Sequence, residues 1–176
     1  VDYYARSTEC EAPRCGEHKD FGPMTLIFQS STEGLEVQVE GEWRGIPPSA
    51  SGNAVQAVLL FGLCTAWRSN DRIKAANHRV VNSTPVNMQT VARRCSAVLF
   101  VGLGSNATLA PVVLPGEKAC YKTASVGDIH PIVARKWKVR EGTVTEAQIK
   151  AEEEEAKSYP TQEALIAHLY KTECAH

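Results

Sequence analysis

A mostly β fold with C-terminal helices is what this chain predicts. Its first two thirds break into short β-prone runs, and turn-forming residues separate those runs at modest spacing. The last third then changes to helical periodicity with capping signals. Many short strands in series suggest a sandwich or barrel, and a double-sheet jelly roll is one such solution. The expected division is a β core over residues 1–122 and a helical extension over 123–176 packed on it.

The elements follow in order. Val1 to Ala5, with Tyr3 and Tyr4, opens the set, and Glu17 to Phe21 follows a loop bearing Cys and Gly. Thr25 to Gln29 (TLIFQ) is apolar and β-prone. Leu35 to Val39 (LEVQV) alternates apolar and polar residues, as a half-buried strand does. Ala54 to Phe61 (AVQAVLLF) is strand-like because of its valines and Gly boundaries. His78 to Val81 (HRVV) and Cys95 to Val101 (CSAVLFV) complete the strands. Asp128 can cap a helix whose apolar face is Ile129, Ile132, Val133 and Trp137, with Pro131 tolerated in its first turn. Thr145 and Gln148 form a capping-box pattern ahead of an Ala/Glu/Lys-rich helix. Thr161 opens a final helix with Leu165, Ile166, Leu169 and Tyr170 on one face. The acidic run Glu152 to Glu155 reads as a solvated helix face.

Composition narrows the functional classes. The chain has 176 residues, 43% hydrophobic and 22% charged, which suits one globular domain rather than a disordered segment. A net charge of -1 gives no basic excess of the kind nucleic-acid binders carry, so no nucleic-acid partner is expected. No apolar run reaches the roughly 18 residues of a membrane span, and no signal-peptide pattern opens the chain. A cytoplasmic enzyme acting on a small molecule is the resulting expectation. The chain begins at Val1 rather than Met, which reads as a fragment or a processed product. Six Cys are scattered at positions 10, 15, 64, 95, 120 and 174, and all are expected to be reduced thiols. The Asn82 and Asn106 triplets match glycosylation sequons, a pattern common by chance.

The candidate chemistry starts at His18-Lys19-Asp20. Residues two apart on a strand share a face, so an imidazole and a carboxylate would project side by side. A second imidazole from a neighbouring strand completes a three-ligand face with open positions, the donor set of non-haem Fe(II) oxygenases. His78, at the start of HRVV, is the natural third ligand. An H-x-D triplet alone is a weak signal; its flanks raise it.

The run His18 to Gln29 (HKDFGPMTLIFQ) resembles the H-x-D-x-G-x-x-T-x-L/I-x-x-Q signature of the isopenicillin N synthase-like family of 2-oxoglutarate/Fe(II) dioxygenases. Gly34-Leu35 with Val37, Trp43 before Ile46-Pro47-Pro48, Trp67 to Val81 (WRSNDRIKAANHRVV) and Arg94-Cys95-Ser96 are similar to further family segments, in order. The resemblance covers about Val1 to Gly102. It implies a double-stranded β-helix (jelly roll, cupin-like), Fe(II) held by His18, Asp20 and His78, and 2-oxoglutarate as co-substrate. Its far carboxylate would meet Arg94 and Ser96, and Tyr4 would reach the same group. Ascorbate would serve as reductant. The implied reaction oxidises a small organic substrate with O2 by hydroxylation, desaturation or cyclisation, releasing succinate and CO2.

Departures from the family pattern are specific. Asp2 stands where the family has Asn, and an acid facing the co-substrate's acid is unfavourable. Residues 82–91 lengthen the connection before Arg94, and Arg93 is an adjacent competitor for its role. Gly62-Leu63 replaces the family's Gly-Asp, and Ala75 replaces its Ser. The family's N-terminal half is not in this sequence, which implies a missing segment or a partner chain. Three other readings stay open: an isopenicillin N synthase-type oxidase that uses no 2-oxoglutarate, a non-catalytic binding fragment, and a structural zinc module at Cys10, Cys15 and His18. Thr25, Ile27, Phe28 and Val80 are candidate pocket residues, or core residues.

Overall fold

The computed structural model describes residues 2–3, 15–29, 32–48, 56–81, 94–140, 145–159 and 162–172. Tyr4, Cys10, Arg93, Thr161, Cys174, the Asn82 sequon and the 82–91 connection lie outside the described residues. Two compact units form: Val1–Leu63 with Lys74–Val101, and Cys64–Ile73 with Gly102–His176.

The first unit contains two four-stranded antiparallel sheets. One has the order β1-β8-β3-β6, from Asp2–Tyr3, Arg94–Val101, Met24–Gln29 and Val58–Phe61. The other has the order β2-β7-β4-β5, from Cys15–His18, His78–Val80, Leu35–Val39 and Glu42–Gly45. Period-two alternation sends one side of each sheet inward. Ile27 and Leu60 from the first sheet meet Cys15, Leu35 and Val80 from the second in one buried cluster, with Val37, Val58 and Val98 packed against it. The other face of the first sheet is apolar too: Leu59 and Leu99 flank Leu26 in register and are exposed. Phe28 lies on that outward face, which corrects its assignment to a pocket.

Two local features place the site. Between the pairs Cys15↔Val80 and His18↔His78 the register shifts, because β2 uses three steps where β7 uses two. This β-bulge leaves His18 directly opposite His78. The second feature is on the outward side of β7, where the Arg79 guanidinium sits 4.1 Å over the Trp43 ring and bonds Glu36 at 2.6 Å. These contacts hold β7 from the side opposite His78.

The second unit holds the two-stranded pair β9 (Thr108–Leu109) and β10 (Ala124–Ser125) with the helices. Helix α1 spans Leu63–Arg68, α2 Val126–Arg140, α3 Glu146–Ser158 and α4 Gln162–Tyr170. Its core includes Trp67, stacked on Tyr121 with centroids 4.9 Å apart, and the buried Leu109, Val126, Ile129, Val133, Leu165 and Ile166. The capping box at Thr145 and Gln148 is present as the spacing implies. Helix α2 begins at Val126, so Asp128 lies in its first turn rather than capping it. The expectation of six reduced thiols fails at Cys120, which is disulfide-bonded, while Cys15, Cys64 and Cys95 carry thiols. The apolar-strand argument for reduced thiols never applied to Cys120, which sits in a connection. No helix among the described residues is long and apolar enough to cross a membrane.

Candidate metal centre

His18 ends β2 and His78 begins β7, so the bulged pairing alone brings two imidazoles together, with ring centroids 4.2 Å apart. Asp20 arrives by a different route from the one its spacing suggests. The strand stops at His18, and Asp20 stands in the turn beyond it. Its backbone carbonyl accepts a hydrogen bond from Leu63 N–H at 2.8 Å. Gly62 donates to the Pro23 carbonyl at 3.0 Å, so the 20–23 turn is clamped onto residues 62–63. The clamp needs glycine. A Cβ at Gly62 would stand 2.2 Å from the Gly22 oxygen and 2.6 Å from the Asp20 oxygen.

The ligand atoms converge. Asp20 Oδ1 lies 3.5 Å from His18 Nε2 and 3.9 Å from His78 Nε2. The donor atoms of the three residues all fall within 4.8 Å of one another, and among the described residues they are the one cluster of three or more such groups that could hold a metal ion. Each imidazole is oriented by its far nitrogen: His18 Nδ1 meets the Gly16 carbonyl at 2.8 Å and His78 Nδ1 meets the Ala76 carbonyl at 3.1 Å. A carbonyl can only accept, so Nδ1 carries the proton in both rings, and the Nε2 lone pairs face Asp20 when the rings are neutral. Metal-binding histidines are commonly oriented this way. Thr25, fully buried on β3, donates to Asp20 Oδ2 at 2.5 Å, and so leaves Oδ1 on the imidazole side.

Electrostatics favour a cation at this point. Burial opposes charge on His18, but bonds to Asp20, Cys15 and Gly16 outweigh it and raise the imidazole to about 10. Burial likewise opposes charge on Asp20, yet the His18 and Thr25 bonds and the nearby imidazoles lower its carboxyl. Burial and the His18 charge lower His78. Two imidazole nitrogens and one carboxylate oxygen, oriented from behind and directed to one point, fit Fe(II) with open positions. The Cys15 thiol lies 3.9 Å from His18 Nδ1, the nitrogen turned to Gly16, and Cys10 of the zinc reading is outside the described residues.

Arg94 and Ser96 stand on β8 and are 1% and 4% exposed. Arg94 Nη1 donates to Ser96 Oγ at 3.3 Å and Nη2 donates to Gln29 Oε1 at 2.9 Å. Gly34, with φ +132°, gives the Arg94 stem room: a Cβ there would stand 2.8 Å from the Val81 oxygen and 3.6 Å from Arg94 Cδ. Asp2 pairs with Cys95, and Tyr3 pairs with Arg94. The polar roles of Thr25 and Gln29 were not read from the sequence, although Thr25 stands at the Thr of the signature.

Thr25 yields a first prediction. Thr25→Val keeps the shape and removes the donor on Asp20, and losing such an outer partner lowers metal affinity roughly 10- to 100-fold. Competition for Fe(II) against a chelator of known affinity measures this. Thr25→Ser should recover most of the loss, and equal weakening in both variants would assign Thr25 to packing.

The model of the 2OG-Fe(II) oxygenase superfamily matches residues 2–103. The proline hydroxylase buaE of Petromyces alliaceus is 31% identical over 112 residues, 62% of this chain and 35% of that protein. The 2-oxoglutarate-dependent dioxygenase gloF of Glarea lozoyensis is 39% identical over 67 residues, 38% of this chain and 20% of that protein. A full-length Neurospora crassa protein, solved in complex with alpha-KG, is 28% identical with a TM-score of 0.58, covering 66% of this chain and 38% of that one. The dioxygenase for auxin oxidation in rice shares the fold at a TM-score of 0.61, with 21% identity, over 80% of this chain and 45% of that one. The matches span from a fifth to about a third of the length of these curated relatives.

Proposed function

The chain belongs to the 2OG-Fe(II) oxygenase superfamily, and from that premise we propose that it is the catalytic part of an Fe(II)- and 2-oxoglutarate-dependent oxygenase acting on a small organic substrate. The carrying observation is the convergence of His18 Nε2, His78 Nε2 and Asp20 Oδ1, with each ring's Nδ1 tied to a backbone carbonyl. These three residues would hold the iron. Bound there with 2-oxoglutarate and O2, the metal would supply the oxidising power for substrate oxidation, with succinate and CO2 released. Arg94 and Ser96 would receive the far carboxylate of the co-substrate, a guanidinium and a hydroxyl both offering donors to an anion. The two four-stranded sheets around the triad are read as a double-stranded β-helix, which supports the same assignment. The helices that follow residue 122 are read as an extension of that core. Tyr4 is retained as a further contact for the co-substrate.

Calorimetry under anaerobic conditions tests the reading. One Fe(II) and then one 2-oxoglutarate should bind per chain, and succinate should form once O2 and ascorbate are admitted. Failure of the iron-loaded chain to bind 2-oxoglutarate would overturn it. Substrate turnover without 2-oxoglutarate would favour the oxidase. One specific fact supports a second reading, a binding fragment without turnover: the short span of the match on the curated relatives. Binding of iron and 2-oxoglutarate with no succinate would favour that.

A further prediction concerns Arg94. Arg94→Lys keeps the charge but loses the planar fork, so the change is not conservative here. A hydrogen bond to a charged group is worth about 1.5–3 kcal/mol, so losing one should raise KM for 2-oxoglutarate roughly 10- to 100-fold. Iron affinity should stay as in the wild type.

A further inference from the structure

We propose that Gln29 is a positioning residue that aims the Arg94 guanidinium toward a dicarboxylate co-substrate without adding a charge of its own; this deepens the 2-oxoglutarate reading above and rests on it. Gln29 is the last residue of β3 and pairs directly with Ser96 on β8. Arg94 stands two residues before Ser96, on the same face. The polar end of Gln29 therefore meets the guanidinium across the ladder, and Arg94 Nη2 donates to Gln29 Oε1 at 2.9 Å.

The orientation of the amide is fixed from both ends. A guanidinium only donates, so the atom facing it must be the oxygen. The other end points Nε2 at the Pro47 carbonyl at 3.5 Å, and a carbonyl only accepts. Both contacts require the same orientation. Together with the 3.3 Å bond from Nη1 to Ser96 Oγ, this anchors two of the three guanidinium nitrogens.

The choice of a neutral acceptor has a chemical consequence. A carboxamide satisfies one N–H of Arg94 without adding charge. A carboxylate at the same reach would form a charge-assisted pair with the guanidinium and compete with an incoming carboxylate. Beside an arginine such a carboxylate would also stay ionised. Strand β3 thus serves both halves of the site from one face, through Thr25 at Asp20 and, four residues on, Gln29 at Arg94.

The test titrates the anaerobic Fe(II)-loaded chain with two probes, 2-oxoglutarate and pyruvate. Pyruvate carries the keto-acid end but lacks the far carboxylate. Gln29→Glu should weaken 2-oxoglutarate binding at least tenfold and leave pyruvate and Fe(II) binding within twofold of wild type. Gln29→Leu, which removes the acceptor without adding charge, should weaken 2-oxoglutarate alone by several-fold, and it decides the matter if Gln29→Glu does not fold. Wild-type affinity for 2-oxoglutarate in the folded variants overturns the proposal, as does equal loss of both probes, which would mark general damage. A wild-type chain that binds iron but not 2-oxoglutarate overturns the co-substrate reading itself, and this inference with it.

Discussion

Asp20→Asn is expected to abolish stoichiometric Fe(II) binding while leaving the fold intact. The substitution keeps the side chain's shape, and its amide oxygen can still accept from Thr25, which bonds Oδ2 in the native chain. The atom on the imidazole side then becomes an NH2 donor or a neutral oxygen, and neither replaces the anionic Oδ1 that lies 3.5 and 3.9 Å from the two Nε2 atoms. The loss should exceed the roughly 100-fold ceiling for changes to outer partners, because a ligand itself is removed. Burial opposes the native carboxylate, but its bonds to His18 and Thr25 outweigh that cost and hold the carboxyl low, so the thermal midpoint of the metal-free protein should fall modestly while the fold persists. Metal analysis after gel filtration, beside a melting curve, checks both parts. Iron retained at one per chain would remove Asp20 from the site.

Gly62→Ala should damage the same site without replacing a ligand. The new Cβ would stand 2.2 Å from the Gly22 oxygen and 2.6 Å from the Asp20 oxygen, and both neighbours are backbone. Backbone must shift by several tenths of an ångström or more, and the shift falls on the turn that carries Asp20. Overpacking of this kind costs about 1–3 kcal/mol. At roughly 2–4 °C per kcal/mol for a chain of this size, the melting midpoint should drop by several degrees. Displacement of a reacting geometry by about 1 Å can cost on the order of 100-fold in rate. Activity and iron affinity should therefore fall much further than stability. Gly45→Ala is the matched control: a Cβ there meets nothing within 4 Å, and wild-type behaviour is expected. Equal, small effects in both variants would show that the clamp between residues 62–63 and Asp20 is dispensable.

The strands that build the site were legible because burial imposes period-two alternation, clear in LEVQV of β4, and because TLIFQ of β3 is apolar and β-prone. Strand β5 (EWRG) was not legible. It is mostly exposed and carries no apolar alternation, and it becomes a strand only by pairing with β4 across the turn at Glu40 and Gly41, both with φ > 0. Helix α1 was hidden for another reason: its six residues follow an apolar strand and show too few turns for periodicity to speak. Among site residues, His18, Asp20 and His78 stood out by type and spacing. The reasoning that joined His18 to Asp20 along one strand was wrong in route, since Asp20 belongs to a turn held by Leu63 and Gly62. Thr25 and Gln29 became visible only through their hydrogen bonds to Asp20 and Arg94, which a single linear sequence does not encode locally.

The extra residue in β2 is a spare rung that leaves this stretch tolerant of changes in identity. Gly16 meets nothing within 4 Å where a Cβ would be, so a side chain fits there. Deleting one residue between Cys15 and His18 would leave two steps on β2 against two on β7, a regular pairing in which the two side chains still share the inner face. Among related genes, point changes should therefore be common here, and loss of the bulged residue should be found as well.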